Sequence, residues 1–242
     1  MRHDPIGDVE GLEGRCAGLQ RGNRIGRGGR LPATLGSLAL AGLIWACGDT
    51  SPGDEVSETV AVPDTFRIEF TSSAGVFEVE FVRDWSPMAV DRVHELGRNG
   101  YWDGAKIYRV NERYAQFGYS GRPDLDARWI GAGLPDEPPR VSNIRGTVSF
   151  ARGGPGTRSA ILFVNRSDNT DLDDLQWNGV LGFPPVGRVV GGMDVIDALH
   201  DGYGEDPMQW EDSIASLGNA FLERRYPELD SITGLRVSGG GG

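Results

Sequence analysis

Few side chains in this 242-residue sequence are of types that carry out covalent or metal chemistry. Both cysteines, Cys16 and Cys47, precede the region that reads as folded, so we expect no disulfide framework, thiol nucleophile or cysteine metal site there. The histidines are His3, His94 and His200, too few and too scattered for a Ser-His-Asp triad or a multi-histidine metal site. We interpret His94 and His200 as helix-surface residues.

Two loops hold the remaining candidates. Residues 146–165 read as two short strands, 147–151 and 160–165, joined by a loop rich in glycine, proline and threonine. Such a loop can bind ligands through its backbone, but this one lacks the lysine of a phosphate-binding loop and opens no helix. The acidic run at 168–174 lacks the glycine and the spacing of a calcium loop. We therefore expect no metal site, and the hairpin alone fixes no function.

The surrounding sequence predicts a mainly-β scaffold. Apolar and charged residues alternate on both sides of a turn at 71–75, which is typical of a β-hairpin with one exposed face. Ser86 and Pro87 begin a helix that ends at Gly97, strands follow at 106–110 and 186–190, and a second helix is expected at 193–199. This order indicates a closed antiparallel barrel capped by two helices.

The N-terminal segment has the features of an export signal. Several arginines precede an apolar run at 35–45, which is too short to cross a bilayer as a helix. Ala46 and Cys47 follow the run, and the ending at 43–47 is similar to a bacterial lipoprotein signal, in which cleavage precedes a cysteine that is then lipidated. A plain signal peptide is the alternative. We predict a signal peptide at 1–46, lipidated Cys47, a flexible tether at 47–64, a folded domain at 65–237 and a Gly-rich tail at 238–242, in an exported protein anchored to the membrane.

The charge of the chain limits its partners. The formal net charge is −11, and Lys106 is its single lysine. Nucleic acids and anionic membrane surfaces require a basic face, so we expect no nucleic-acid partner.

Four blocks, taken together, resemble the cyclophilin family of peptidyl-prolyl cis/trans isomerases. They lie at 99–104 (NGYWDG), 107–118 (IYRV leading to QFG), 146–165 and 186–197 (VGRVVGGMDVID). The resemblance covers about 66–204, and residues 218–230 resemble an extension in a bacterial branch of the family. It implies a closed eight-stranded antiparallel barrel, isomerase activity on X-Pro bonds in exported proteins, no cofactor and a monomeric state.

The resemblance also implies roles for individual residues. Arg109 matches the catalytic arginine, whose guanidinium approaches the prolyl nitrogen, and Gln116 matches a glutamine that grips the peptide backbone. The matching proline-pocket residues are Tyr114, Phe163, Leu172 and Phe183, with Phe183 standing where many members carry a histidine. Main-chain groups around Ala151, Arg152 and Gly153 are expected to bind the peptide as well.

One departure keeps a second function open. The family usually carries a glutamine where this chain has Ile161, and its loss removes a polar arm near the arginine. We therefore expect reduced activity. Arg109 and Gln116 favour an isomerase, whereas Ile161 favours a barrel that binds proline-containing segments without useful catalysis. A lipoprotein whose barrel is only a spacer is the third possibility.

Overall fold

The computed structural model describes residues 61–239. The predicted signal peptide, Cys47, tether residues 47–60 and tail residues 240–242 lie outside the described residues. Within the described part, no helix is both long and apolar enough to cross a bilayer.

Eight strands form a single antiparallel sheet, and two further strands form a separate small hairpin. In chain order the strands are β1 (Thr65–Ser72), β2 (Gly75–Val82), β3 (Ile107–Val110), β4 (Tyr114–Phe117), β5 (Thr147–Phe150), β6 (Leu162–Asn165), β7 (Gln176–Trp177), β8 (Val180–Leu181), β9 (Pro185–Gly191) and β10 (Ile232–Ser238). The order across the large sheet is β10-β1-β2-β9-β5-β6-β4-β3, and β7 pairs with β8. The predicted mainly-β, eight-stranded antiparallel architecture is confirmed.

The large sheet is an open half-barrel over most of its edge, and the predicted closure of the barrel is not confirmed. Its edge strands, β10 and β3, meet only near their first residues, at an isolated bridge between Lys106 and Ser231. Flanking backbone bonds run from the Ile107 N–H to the Asp230 oxygen (2.9 Å) and from the Ile232 N–H to the Ala105 oxygen (2.8 Å). Since β3 has only four residues and is irregular between positions 107 and 109, the pairing does not continue along β10.

The described chain has more helices than the two predicted from sequence. They are α1 (Pro87–Arg98), α2 (Pro123–Trp129), α3 (Asp171–Asp174), α4 (Met193–Asp197), α5 (Glu211–Leu217) and α6 (Asn219–Arg225). Two of them, α1 and α4, match the expected helices, although α4 ends two residues early. The others have four to seven residues, too few to display a helical repeat of apolar positions.

The predicted hairpin supplies one wall of the core. Apolar residues of β1 and β2 pair across the strands, with Phe66 opposite Phe81 and Phe70 opposite Phe77. Each pair stacks, with ring centroids 5.3 and 5.0 Å apart, respectively. The ring of Trp102 lies 6.2 Å from that of Phe70, and its indole N–H donates to a backbone oxygen of the loop before β6. The hairpin prediction is confirmed.

The interpretation of His94 as a surface residue is wrong. Its side chain is buried on the inner face of α1, with its ring edge-on to Phe66 at 4.9 Å. Burial, aided by the charge of Arg98, lowers the pKa of His94, although Asp91 partly offsets the shift. His200 is half-buried beyond the end of α4 and is not helical.

The strands β4, β5 and β6 have a core face and an opposite face. Ala115, Phe117, Leu162 and Val164 belong to the hydrophobic core, so the intervening residues of β4 and β6 point the other way. The chain leaves β4 at Gly118, whose φ of +152° suits glycine; a Cβ there would lie 2.3 Å from the Cα of residue 161.

Helices α5 and α6 build a second apolar cluster beside this opposite face. Its buried members are Tyr108, Tyr119, Ile214, Leu222, Tyr226 and Leu229, and Ile161 packs against them. The segment after α4 is therefore an integral part of the folded domain.

Candidate active site

Strand register brings the main candidates into one row. Arg109 on β3 lies opposite Gln116 on β4, and Gln116 lies opposite Phe163 on β6. Phe163 lies opposite Ser149 on β5. Since directly opposite residues share a face, this row runs across the side of the sheet that faces away from the core.

The turn between β3 and β4 fixes this register. The Asn111 side-chain oxygen accepts hydrogen bonds from the backbone N–H groups of Arg113 (2.8 Å) and Tyr114 (2.9 Å). Such local bonds stabilise tight turns. The short connection therefore places Tyr114 next to the Arg109–Gln116 pair, across from Asn165.

Three partners hold the guanidinium of Arg109. Its Nη1 donates to Gln116 Oε1 (3.1 Å), its Nη2 to the Tyr114 hydroxyl (3.1 Å) and its Nε to Glu205 Oε1 (2.9 Å). Its Nη2 also lies 2.6 Å from Glu205 Oε2, and its Cζ lies 4.6 Å from the centre of the Tyr114 ring. Arg109 is thus a fixed cation whose side chain remains 20% exposed.

Electrostatics keep Arg109 charged. Burial acts to lower its pKa, but the hydrogen bond and charge of Glu205, together with Tyr114 and Tyr108, outweigh burial and raise the pKa above its ordinary value. The group therefore stays protonated at any pH at which the protein folds.

Gln116 links Arg109 to a buried tyrosine. It is 3% exposed, and its amide nitrogen donates to the Tyr108 hydroxyl (2.9 Å). Met208, in the 3-10 turn Asp206–Trp210, places its sulfur 3.8 Å from the same nitrogen. Because both ends of the amide have partners, the orientation of Gln116 is defined.

An aromatic row lies alongside this pair. The ring of Phe163 is 5.6 Å from that of Tyr114 and 6.1 Å from that of Phe183. Leu172, in α3, accepts a backbone hydrogen bond from Phe183 (3.0 Å) and is buried next to it. The four predicted pocket residues therefore lie in one continuous apolar strip.

A buried amide network supports the far end of this strip. The Asn143 amide nitrogen donates to the Phe183 oxygen and to Asp173 Oδ1, both at 2.8 Å. Its oxygen accepts from the Ser149 hydroxyl (2.8 Å) and from Asn165 (3.2 Å). Asn143, Ser149 and Asn165 are fully buried, so this network fixes the loop carrying Phe183 to β5 and β6.

Backbone groups of the loop after β5, which are expected to bind the peptide, are hydrogen-bonded within the protein. The Ala151 N–H donates to the Ile161 oxygen (2.9 Å), and the Gly153 N–H donates to the Thr157 hydroxyl (3.0 Å). The Gly153 oxygen accepts from Asn178 (2.7 Å). These amides are thus engaged within the protein, and the roles of Ala151, Arg152 and Gly153 in peptide binding stay a prediction.

Arg152 itself is buried. Its Nη2 donates to the Val180 oxygen (3.1 Å) and to the Gly182 oxygen, and its Cζ lies 4.6 Å from the centre of the Phe183 ring. Arg152 therefore fixes the β7–β8 hairpin beside the aromatic strip.

Sequence reasoning missed Glu205, Met208 and Asn143. Glu205 and Met208 lie more than 90 positions from their partners, and no local pattern marks such contacts. Among residues 61–239, no group of histidine, cysteine, aspartate or glutamate side chains is arranged to hold a metal ion.

A family model described as cyclophilin type peptidyl-prolyl cis-trans isomerase matches residues 65–219. The chain therefore belongs to this family. Peptidyl-prolyl cis-trans isomerase A of Dickeya dadantii (strain 3937) is 26% identical over 145 residues, which cover 59% of this chain and 75% of that protein. The isomerase cyp18 of Streptomyces antibioticus is 30% identical over 136 residues, covering 54% and 81%, respectively.

Solved structures agree with the fold. The crystal structure of a cyclophilin type isomerase of Cryptosporidium parvum matches with a TM-score of 0.51 at 17% identity, covering 73% of this chain and 99% of that one. A second structure of that protein, solved in the presence of the dipeptide Ala-Pro, gives the same TM-score and identity, covering 72% and 99%, respectively.

Proposed function

We propose that this chain catalyses cis/trans isomerisation of X-Pro bonds in polypeptides, with Arg109 as the catalytic residue. The observation that carries the proposal is the pairing of Arg109 with Gln116 directly beside the strip formed by Tyr114, Phe163 and Phe183. The apolar strip suits the carbon atoms of a proline ring, and the fixed cation beside it suits the prolyl nitrogen of that ring.

The chemistry asked of Arg109 is electrostatic. Amide resonance sets a barrier of about 18–20 kcal/mol, because the prolyl nitrogen must leave conjugation and localise its lone pair at the twisted transition state. The barrier falls when that localised lone pair is stabilised. A guanidinium N–H directed at that nitrogen stabilises the twisted state more than the planar one, which is the condition for catalysis. One Nη1 N–H of Arg109 has no acceptor among residues 61–239 and is suited to this role.

The aromatic strip and Gln116 supply binding. Phe163 is proposed as the base of the proline pocket, with Tyr114 and Phe183 at its sides and Leu172 behind. Gln116 is proposed to contact the peptide backbone after exchanging its bond to Tyr108. A related protein was crystallised in the presence of Ala-Pro, which supports proline-containing peptides as the ligand class.

Ile161 bears on the competing function, a proline-peptide binder without useful catalysis. Its side chain packs against the cluster formed by α5, α6 and Tyr108. Arg109 meanwhile has three hydrogen-bonded partners without a glutamine at position 161. The contacts of Arg109 therefore favour the enzyme over the binder.

Exchange NMR on a short X-Pro peptide tests the proposal, using the purified full-length protein and its Arg109→Ala variant. We expect the variant to be slower by about 10²–10³-fold, the loss typical of one preorganised donor. Equal rates for both proteins would rule out catalysis by Arg109. Peptide binding without any acceleration would favour the non-catalytic binder.

We propose further that the protein is exported, anchored through a lipid on Cys47 and active as a monomer on exported clients. The support is the arginine-rich segment, the short apolar run and the cysteine that follows it. Metabolic labelling with a fatty acid should mark the wild type and not Cys47→Ser. Label retained by the variant would contradict the anchor.

A further inference from the structure

Glu205 stands out because it contacts the proposed catalytic arginine from a distant part of the chain. It lies 96 residues after Arg109, immediately before the 3-10 turn, and its carboxylate receives the Nε bond and the Nη2 contact. The other partners of Arg109, Tyr114 and Gln116, bind Nη2 and Nη1. Glu205 is therefore the partner that fixes the Nε side of the guanidinium.

The position of Glu205 is built into the fold. The Asn111 side chain donates to the same carboxylate oxygen, so Glu205 is held from the β3–β4 turn as well. On its other side, Pro207 is buried and the Tyr226 hydroxyl donates to Asp206 (2.5 Å). The carboxylate is thus presented to Arg109 by a segment packed against the domain.

A bidentate contact with an arginine can add to stability, but the Glu205 side chain is 55% exposed, so solvent screens the pair and keeps its contribution to the free energy of unfolding small. An arginine side chain has several rotatable bonds, however, and a flexible guanidinium is poorly oriented toward a substrate. The bond to Nε restricts this freedom while leaving one Nη1 N–H unpartnered within 61–239.

We infer that Glu205 is a positioning residue for isomerisation, one that holds the Arg109 guanidinium in its catalytic orientation. The segment after α4 thereby completes the site, with Glu205 on Arg109 and Met208 against Gln116. The inference rests on the proposed function, because it assigns Glu205 a role in that same reaction.

The test compares full-length Glu205→Ala and Glu205→Gln with the wild type. We expect Glu205→Ala to lower kcat about tenfold and to leave KM within about twofold, since the arginine is present but less well oriented. Glu205→Gln keeps one acceptor oxygen for Nε and should lose about threefold. Glu223→Gln is the matched control, because Glu223 is an exposed acid in α6 paired with Lys106 at 3.8 Å.

Two results would overturn the inference. An unchanged kcat in Glu205→Ala would show that the carboxylate does not orient Arg109. A rise in kcat/KM would show instead that Glu205 competes with substrate for the guanidinium.

A second readout separates this inference from the proposed function. Rotation of the Arg109 guanidinium, followed by NMR of its Nε–H group, should be slow in the wild type and faster in Glu205→Ala. If the wild type fails to isomerise any peptide, the proposed function falls, and the positioning role in catalysis falls with it. The rotation rates still decide whether Glu205 orders Arg109.

Discussion

Two arginines, Arg109 and Arg152, flank the aromatic strip, and their guanidinium groups have different roles. Each guanidinium carbon lies 4.6 Å from a ring centre, Arg109 over Tyr114 and Arg152 over Phe183. Arg109 is 20% exposed and paired with a carboxylate, whereas the Arg152 side chain is 1% exposed and donates mainly to backbone oxygens.

The surroundings set the charge stability of each group. Burial lowers the pKa of Arg152, and Asp136, 3.9 Å away, only partly offsets it, while Arg158 adds to the lowering. Glu205 instead raises the pKa of Arg109. Arg109 is partly exposed and bonded to Glu205, so it is suited to contact a substrate. Arg152 is enclosed, and its bonds to backbone oxygens hold the β7–β8 hairpin in place.

Among the variants that compare the two arginines, the largest effect is expected from replacing Arg109 by lysine. A lysine ammonium cannot donate to Glu205, Gln116 and Tyr114 in one fixed plane, so kcat/KM should fall about 100-fold despite the retained charge. Peptide exchange NMR measures this loss. Activity within threefold of the wild type would show that Arg109 acts through its positive charge and not through its planar arrangement of donors.

At the other end of the strip, Arg152→Ala should lower the stability of the protein. It removes donors to the Val180 and Gly182 oxygens, and we expect the free energy of unfolding to fall by about 2 kcal/mol in urea titrations. Arg188→Ala is the control, since Arg188 is 55% exposed and its pair with Glu80 should contribute little. An Arg152→Ala protein with the same free energy of unfolding as the wild type would contradict the structural role assigned to Arg152.

Tyr114→Phe makes the ring under Arg109 like the one under Arg152, because Phe183 has no hydroxyl group. The variant therefore tests whether the hydroxyl accounts for part of the difference between the two arginines. The variant keeps the stack on Arg109 and loses one hydrogen bond from a charged group, which is worth about 1.5 kcal/mol, or about tenfold in kcat/KM. Steady-state kinetics at several peptide concentrations will measure it. A loss beyond fiftyfold would indicate that the hydroxyl contacts the substrate itself.

The smallest effect concerns Glu211, a second acid whose charge interacts with that of Arg109. Burial raises the pKa of Glu211, while Arg109 lowers it in part and Asp212 raises it further. The stability linked to its protonated form is complete below about 4.5 and is lost as pH rises through the raised pKa. Glu211→Gln should therefore gain stability over the wild type as pH increases from 4 to 7, measured by urea unfolding at each pH. A difference independent of pH would contradict the raised pKa.

The residues found from sequence lie where local patterns are strong. Arg109, Tyr114, Gln116 and Phe163 occupy short strands within family-like blocks, and the structure brings them together. Glu205 was missed because its contact with Arg109 depends on how the segment after α4 packs. Tertiary packing of that kind leaves no periodic trace in the chain.

The same limit explains the errors in the fold. The alternation in β1 and β2 predicts their hairpin, since one face of it is exposed and the other buried. Barrel closure depends instead on whether β3 and β10 pair along their length, and here the pairing is confined to the bridge between Lys106 and Ser231, just before the two strands, and to the backbone bonds that flank it. The interpretation of His94 as a surface residue fails for the same reason, since its ring packs edge-on against Phe66, which is distant in sequence.

The division of β4 and β6 into two faces has a consequence for how this protein can evolve. Ala115 and Phe117 serve the core, while Tyr114 and Gln116, one position away, serve the site. A substitution at Tyr114, which is only half-buried, leaves the core face untouched, so selection can retune substrate preference there at little risk to folding. A single insertion within β4 has the reverse effect, because it exchanges the two faces and removes both properties at once.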